Sequence, residues 1–141
     1  MKYVLDSSVA FKWLVPEVDT DKALRLLDDY QHDVHDLLSP DILPVETTHA
    51  LTRAERQGRV TAAQGSRLFI DLMNQVPNLH PYLLLLPRAY AISSAMRIGV
   101  YDCIYVALAE QEGCELVTSD NRLINTLQKD FPFITALASM P

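Results

Sequence analysis

Short apolar runs of strand length alternate along this chain with longer stretches whose apolar residues recur three and four apart, the helical period. Lys2–Leu5 reads as a short buried strand, and Ser8–Val15 as a helical turn or two stopped by Pro16. Thr20–Tyr30 has helical spacing, with Ala23, Leu24, Leu27 and Tyr30 on one face. His35–Ser39 is a weaker strand candidate. Asp41–Gln57 reads as a helix, with Gly58 where a left-handed cap residue is wanted. Thr61 opens the next helix, since Thr61 and Gln64 have capping-box spacing. Leu68, Phe69, Leu72, Met73 and Val76 form its apolar face, and Pro77 stops it. Tyr82–Leu86 reads as a buried strand or extended run. Pro87 suits the first turn of a helix over Arg88–Arg97. Asp102–Glu112 is a further helix, closed by Gly113. Glu115–Ser119 is the clearest late strand, Asn121–Lys129 a helix, and Phe133–Thr135 a last strand.

This alternation predicts an α/β fold with a central parallel sheet and helices on both faces. The 141 residues suit one domain, spanning 1–141. At 49% hydrophobic and 21% charged residues, the composition argues against disorder. No apolar run reaches the ~18 residues of a membrane span. No signal-peptide pattern follows Met1-Lys2-Tyr3, so the expected location is cytoplasmic. Cys103 and Cys114 fall near the two ends of one predicted helix, too far apart to bridge, and are expected as reduced thiols.

Net charge is −6, which disfavours nucleic-acid binding through Lys and Arg alone. Divalent cations would offset that charge and put positive charge where a phosphate must sit. Four acids make this more than a formal point. Asp6 closes the apolar run Tyr3-Val4-Leu5, and Asp120 closes Leu116-Val117-Thr118-Ser119. Asp102 opens a helical stretch. Glu46 borders the apolar stripe suggested by Ile42, Val45, His49, Ala50 and Ala54. Each has an ordinary role open to it. A lone Asp before a helix is most often an N-cap, and Glu46 has a solvated edge or a salt bridge to Arg53 available. In parallel sheets, however, ligands bind beyond the carboxyl ends of the strands, where Asp6 and Asp120 fall. Carboxylates gathered there repel one another unless cations hold them, the donor set of an oxygen-ligand Mg²⁺ or Mn²⁺ site. Ser8 and Thr118 stand two residues from Asp6 and Asp120, placed to orient carboxylates or water, although such residues are common at strand ends and caps.

Tyr3-Val4-Leu5-Asp6-Ser7-Ser8-Val9 resembles the opening motif of PIN-domain ribonucleases. Leu43-Pro44-Val45-Glu46 resembles their second motif, and Tyr101-Asp102-Cys103-Ile104-Tyr105-Val106-Ala107-Leu108-Ala109 their third. Leu116-Val117-Thr118-Ser119-Asp120 resembles the fourth. The order and spacing match over nearly the whole chain, and the length is similar to VapC-type toxins of bacterial toxin–antitoxin pairs. The resemblance implies a metal-dependent endoribonuclease. Asp6, Asp102 and Asp120 would be direct or near-direct ligands of Mg²⁺ or Mn²⁺, and Glu46 would hold a metal-bound or attacking water. It also implies a homodimer and a protein antitoxin that blocks the acidic cleft.

Other residues carry less. His32, His35, His49 and His80 lack zinc spacing with the cysteines. Lys12, Arg97 and Arg122 are candidates for RNA phosphate, though solvated faces explain them equally. Trp13 has core burial as its default, with base stacking or a dimer contact as alternatives. A phosphoacceptor signalling domain would want paired acids at the end of the first strand and a Lys near the end of a late strand, but Ser7 and Ser8 follow Asp6 and no Lys lies near Val117 or Ile134. The glycines Gly58, Gly65, Gly99 and Gly113 form no phosphate loop. A PIN-like fold that processes RNA or binds a partner without a toxin role is the remaining alternative.

Overall fold

The computed structural model describes residues 1–141. Strands β1 (Lys2–Leu5), β2 (Asp36–Pro40), β3 (Asn78–His80), β4 (Glu115–Thr118) and β5 (Ile134–Ala136) form one sheet in the order β3-β2-β1-β4-β5. Every neighbouring pair is parallel. Parallel neighbours need crossovers, and helices supply them. α1 (Ser7–Leu14) and α2 (Thr20–Gln31) join β1 to β2, and α3 (Leu43–Arg56) and α4 (Ala62–Met73) join β2 to β3. α5 (Leu86–Met96) and α6 (Val100–Glu112) lead from β3 to β4, and α7 (Asn121–Leu127) from β4 to β5. The chain moves outward from β1 to β3, then returns to the other side of β1. With right-handed crossovers, that reversal puts α1–α4 over one face and α5–α7 over the other. It also leaves a crevice between the carboxyl ends of β1 and β4, the switch point.

The central strands carry apolar residues on both faces because both faces are covered. Val4, Leu5, Leu37, Leu116 and Val117 are fully buried. α6 is buried from Cys103 to Ala109, which accounts for an apolar sequence with no clear stripe. A smaller cluster of Phe11, Leu14, Val15, Leu51, Ala54 and Leu72 ties α1, α3 and α4 together.

The expected elements form, with differences that have local causes. Tyr82–Leu86 is not a strand. Tyr82–Leu85 makes a 3-10 turn and Leu86 begins α5. Asp41 Oδ1 accepts the Tyr82 amide proton at 2.9 Å and fixes the turn, and only Leu85 of the four turn residues is buried. The strand beside β2 is instead the short, largely polar β3 between Pro77 and Pro81, which the apolar pattern does not predict. α6 begins at Val100 with Gly99 as its cap, so Asp102 stands in the first turn rather than at the cap. The buried stripe of α3 is Leu43, Thr47, Leu51 and Ala54, while Val45 is exposed. Leu24, Phe69 and Met73, expected on buried faces, are also exposed. Both cysteines are free thiols, and no helix is long and apolar enough to cross a membrane.

Candidate active site

Asp6 is the first residue after β1 and the N-cap of α1, so the ordinary role is real. Its Oδ1 accepts the amide protons of Ser8 (3.1 Å) and Val9 (3.4 Å) and the Ser8 hydroxyl at 2.5 Å. Its Oδ2 accepts the Thr118 hydroxyl at 2.5 Å. The two hydroxyls are also acceptors: Ser8 Oγ takes the Ser119 amide proton at 2.9 Å and Thr118 Oγ1 that of Asp120 at 3.1 Å. One network thus pins the end of β1 to the end of β4. Every donor aimed at Asp6 suits a carboxylate, which only accepts. Burial nevertheless pushes its pKa up to about 6; the Ser8 and Thr118 bonds oppose that, and the charges of Asp102 and Asp120 add to it.

Asp120 caps α7, with its Oδ1 accepting from the Arg122 amide at 3.0 Å and the Leu123 amide at 3.4 Å. Asp102 accepts no protein hydrogen bond. Burial, then the charges of Asp120 and Glu46, pushes it up to about 6, against the pull of Arg122. Glu46, half-buried on α3, accepts the Tyr105 hydroxyl at 2.6 Å. Burial raises its pKa, while Tyr105 and His49 lower it. Tyr105 itself is held far above its usual range by burial and by Glu46, so it stays a donor. Sequence reasoning passed over Tyr105 as part of an apolar run. Its place three residues after Asp102, with a polar tip in a buried helix, was the available signal.

The four acids therefore share one crevice, with Ser8 and Thr118 bracing Asp6. No three His, Cys, Asp or Glu side chains stand close enough to enclose an ion by themselves. The donor set still fits a hard divalent cation, because Mg²⁺ takes one or two carboxylates and keeps several waters. Counting lone pairs, the Asp102 carboxylate, Asp120 Oδ2 and Glu46 Oε2 accept no protein hydrogen bond and Asp6 Oδ2 accepts one, so each of the four acids has capacity to spare.

Of the other candidates, Lys12 is buried and paired with Glu17 at 3.3 Å, so it is not a free phosphate contact. Trp13 is in the core, with its indole N–H donating to the Ala23 carbonyl at 2.9 Å. Arg122 faces the acids closely enough to act on Asp102. Arg97 is exposed, with a left-handed backbone at φ 56°. The largest cavity, about 580 Å³, lies elsewhere, between the end of α1 and α4, and contains none of the acids. Glu46 instead lines a second cavity of about 520 Å³.

Residues 3–127 match the PIN domain family. The chain is a PIN-domain protein. It is 31% identical over 125 residues to ribonuclease VapC3 of Pyrobaculum aerophilum, an alignment covering 87% of this PIN-domain chain and 92% of that protein. It is 33% identical over 93 residues to ribonuclease VapC9 of Mycobacterium tuberculosis, over 66% of this chain and 72% of that one. The crystal structure of PAE2754 from Pyrobaculum aerophilum superposes with a TM-score of 0.69 at 22% identity, covering 99% and 94% of the two chains. A chain of VapBC2 from Rickettsia felis, in a structure bound to a promoter DNA fragment, does so with 0.64 at 13% identity, over 96% and 97%. These two share the PIN fold, a parallel sheet flanked by helices.

Proposed function

We propose that this PIN-domain protein is a Mg²⁺- or Mn²⁺-dependent endoribonuclease that hydrolyses RNA phosphodiester bonds. We read it as the toxin of a VapBC-like pair, cytoplasmic, homodimeric and held by a protein antitoxin. Residues 1–141 act as one domain, since β5 lies beyond the matched region yet pairs with β4. The observation that carries the reading is the convergence of Asp6, Glu46, Asp102 and Asp120 at the switch point. The VapC ribonucleases among its relatives support the toxin role.

Asp6, Asp102 and Asp120 are the residues that would hold the metal, directly or through water. A bound ion supplies an activated water and charge stabilisation at the phosphate. Ser8 and Thr118 orient Asp6 and keep it ionised by donating both hydroxyl protons to it. Tyr105 fixes the Glu46 carboxylate, leaving Glu46 Oε2 to orient water. No cysteine or serine nucleophile is required.

Asp6→Asn keeps the side-chain volume and removes the charge. A folded mutant is expected to lose cleavage of structured RNA in Mn²⁺, and wild-type turnover by it would remove Asp6 from the site. Induction of the wild type alone in a bacterium is expected to arrest growth, and Asp120→Asn to relieve the arrest. Harmless expression of a metal-active enzyme would favour RNA processing without a toxin role.

A further inference from the structure

The 520 Å³ cavity beside Glu46 is built from the same segments that carry the acids, but its wall has a different chemistry. Ser7 follows Asp6, Tyr101 precedes Asp102, and Val45, Glu46, His49 and Arg53 come from α3. Glu46, His49 and Arg53 are spaced three and four apart, so they form one stripe running away from the acids. Arg53 makes no ion pair with any carboxylate of the chain, Glu46 included. In a protein of charge −6, an unpaired guanidinium next to the acidic crevice is a notable placement. Tyr101 is 61% exposed and its hydroxyl has no hydrogen-bond partner in the protein. Tyr105, one turn further along α6, is buried against Glu46. The ring of Tyr101 thus adds nothing to the core and stands at the mouth of the cavity.

An aromatic face with a nearby cation is what a single-stranded nucleotide needs: a base stacks on the ring and a phosphate meets the guanidinium. We propose that this cavity is the subsite for a nucleotide flanking the scissile phosphate, with Tyr101 stacking its base and Arg53, assisted by His49, meeting its phosphate. The proposal rests on the ribonuclease reading above. It explains how an acidic protein retains RNA: the metal site handles the reacting phosphate, and Arg53 and Tyr101 hold the neighbouring nucleotide. Stacking accepts every base, so the subsite selects single-stranded RNA rather than a sequence.

The test uses the full chain carrying Asp6→Asn, so that RNA is bound and not cut. A fluorescein-labelled single-stranded octaribonucleotide is titrated in Mn²⁺ and read by anisotropy. Adding Tyr101→Ala is expected to weaken binding about tenfold, while Tyr101→Phe binds like the parent. Adding Arg53→Ala is expected to weaken binding and lower the salt slope by about 0.7. An abasic site walked along the probe should weaken the parent at one position where Tyr101→Ala is indifferent. Parent-like binding by both alanine variants would overturn the subsite. So would a Tyr101→Ala effect that tracks a change in sedimentation, since the ring would then face a second protein. If wild type cleaves RNA while these variants bind alike, only the subsite falls. If wild type neither binds nor cleaves, the ribonuclease reading falls and the subsite with it.

Discussion

Thr118 shows how much a single hydroxyl does here. It is fully buried, donates to Asp6 and accepts from the Asp120 amide. Thr118→Val keeps the shape and leaves a buried carboxylate oxygen and a backbone N–H without partners. Such loss costs roughly 1–3 kcal/mol of stability. With that donor gone, Asp6 binds its proton more tightly and competes less well for a cation. Cleavage is expected to fall about 10–100-fold, the usual effect of removing a residue that orients a ligand. The half-saturating Mn²⁺ concentration should rise as well, and Thr118→Ser should restore both. An unchanged Mn²⁺ requirement would mean that Thr118 supports the fold and not the site. Asp6, Ser8, Thr118 and Asp120 were legible from sequence because strand ends announce themselves. The bonds that join Asp6 and Ser8 to Thr118, between residues more than 100 apart, were not. The sequence offers Arg53 a salt bridge to Glu46, and the structure leaves it unpaired.

At the scale of elements, local signals worked where backbone chemistry dictates the answer. The Thr61–Gln64 capping box forms, with bonds of 2.8 and 3.1 Å. Gly58 and Gly113 adopt positive φ at helix ends, as expected. Thr61→Ala is therefore expected to cost about 1 kcal/mol and lower the melting temperature by about 4 °C, with cleavage unchanged. A melt equal to wild type would show that α4 is held by packing alone. Periodicity failed where burial depends on what the rest of the chain covers. The run Leu83–Leu86 has strand composition, yet Leu83 and Leu84 face solvent. Ala54 of α3 and Leu72 of α4 are buried as their spacing predicts, but Val45, Phe69 and Met73 are exposed, because an apolar residue on a helix does not say whether a neighbour exists. β3 has three residues and one aliphatic side chain, too little for any pattern to register.

At the scale of the whole molecule, the acids make stability depend on pH and metal together. Asp6 has a pKa of about 6 in the fold against an ordinary 3.8, so the folded chain binds that proton more tightly than the unfolded one. The resulting stabilisation is fully present below about pH 4 and is lost as pH rises through 6. Asp102 shifts in the same direction, with a smaller energetic share because it is partly solvated. Glu110 and Glu112 shift the other way through their pairs with Arg88 and Lys2, but they lose stabilisation only below the usual carboxylate range. Between pH 5 and 7, then, the metal-free protein should become less stable as pH rises, by roughly 1 kcal/mol from Asp6 alone. That is about 4 °C in melting temperature. Divalent metal should reverse the slope, because it binds the deprotonated carboxylates and displaces their protons. With free Mn²⁺ at about 100 times its dissociation constant, the gain is roughly 2.7 kcal/mol. Asp6→Asn should flatten the metal-free slope, melt above wild type in chelator at pH 7, and gain less from Mn²⁺. The measurement is thermal melting of both proteins at pH 5, 6 and 7, with chelator and with Mn²⁺. A wild type that grows more stable from pH 5 to 7 in chelator, or a mutant that gains as much from Mn²⁺, would mean that Asp6 does not set the charge balance of this crevice.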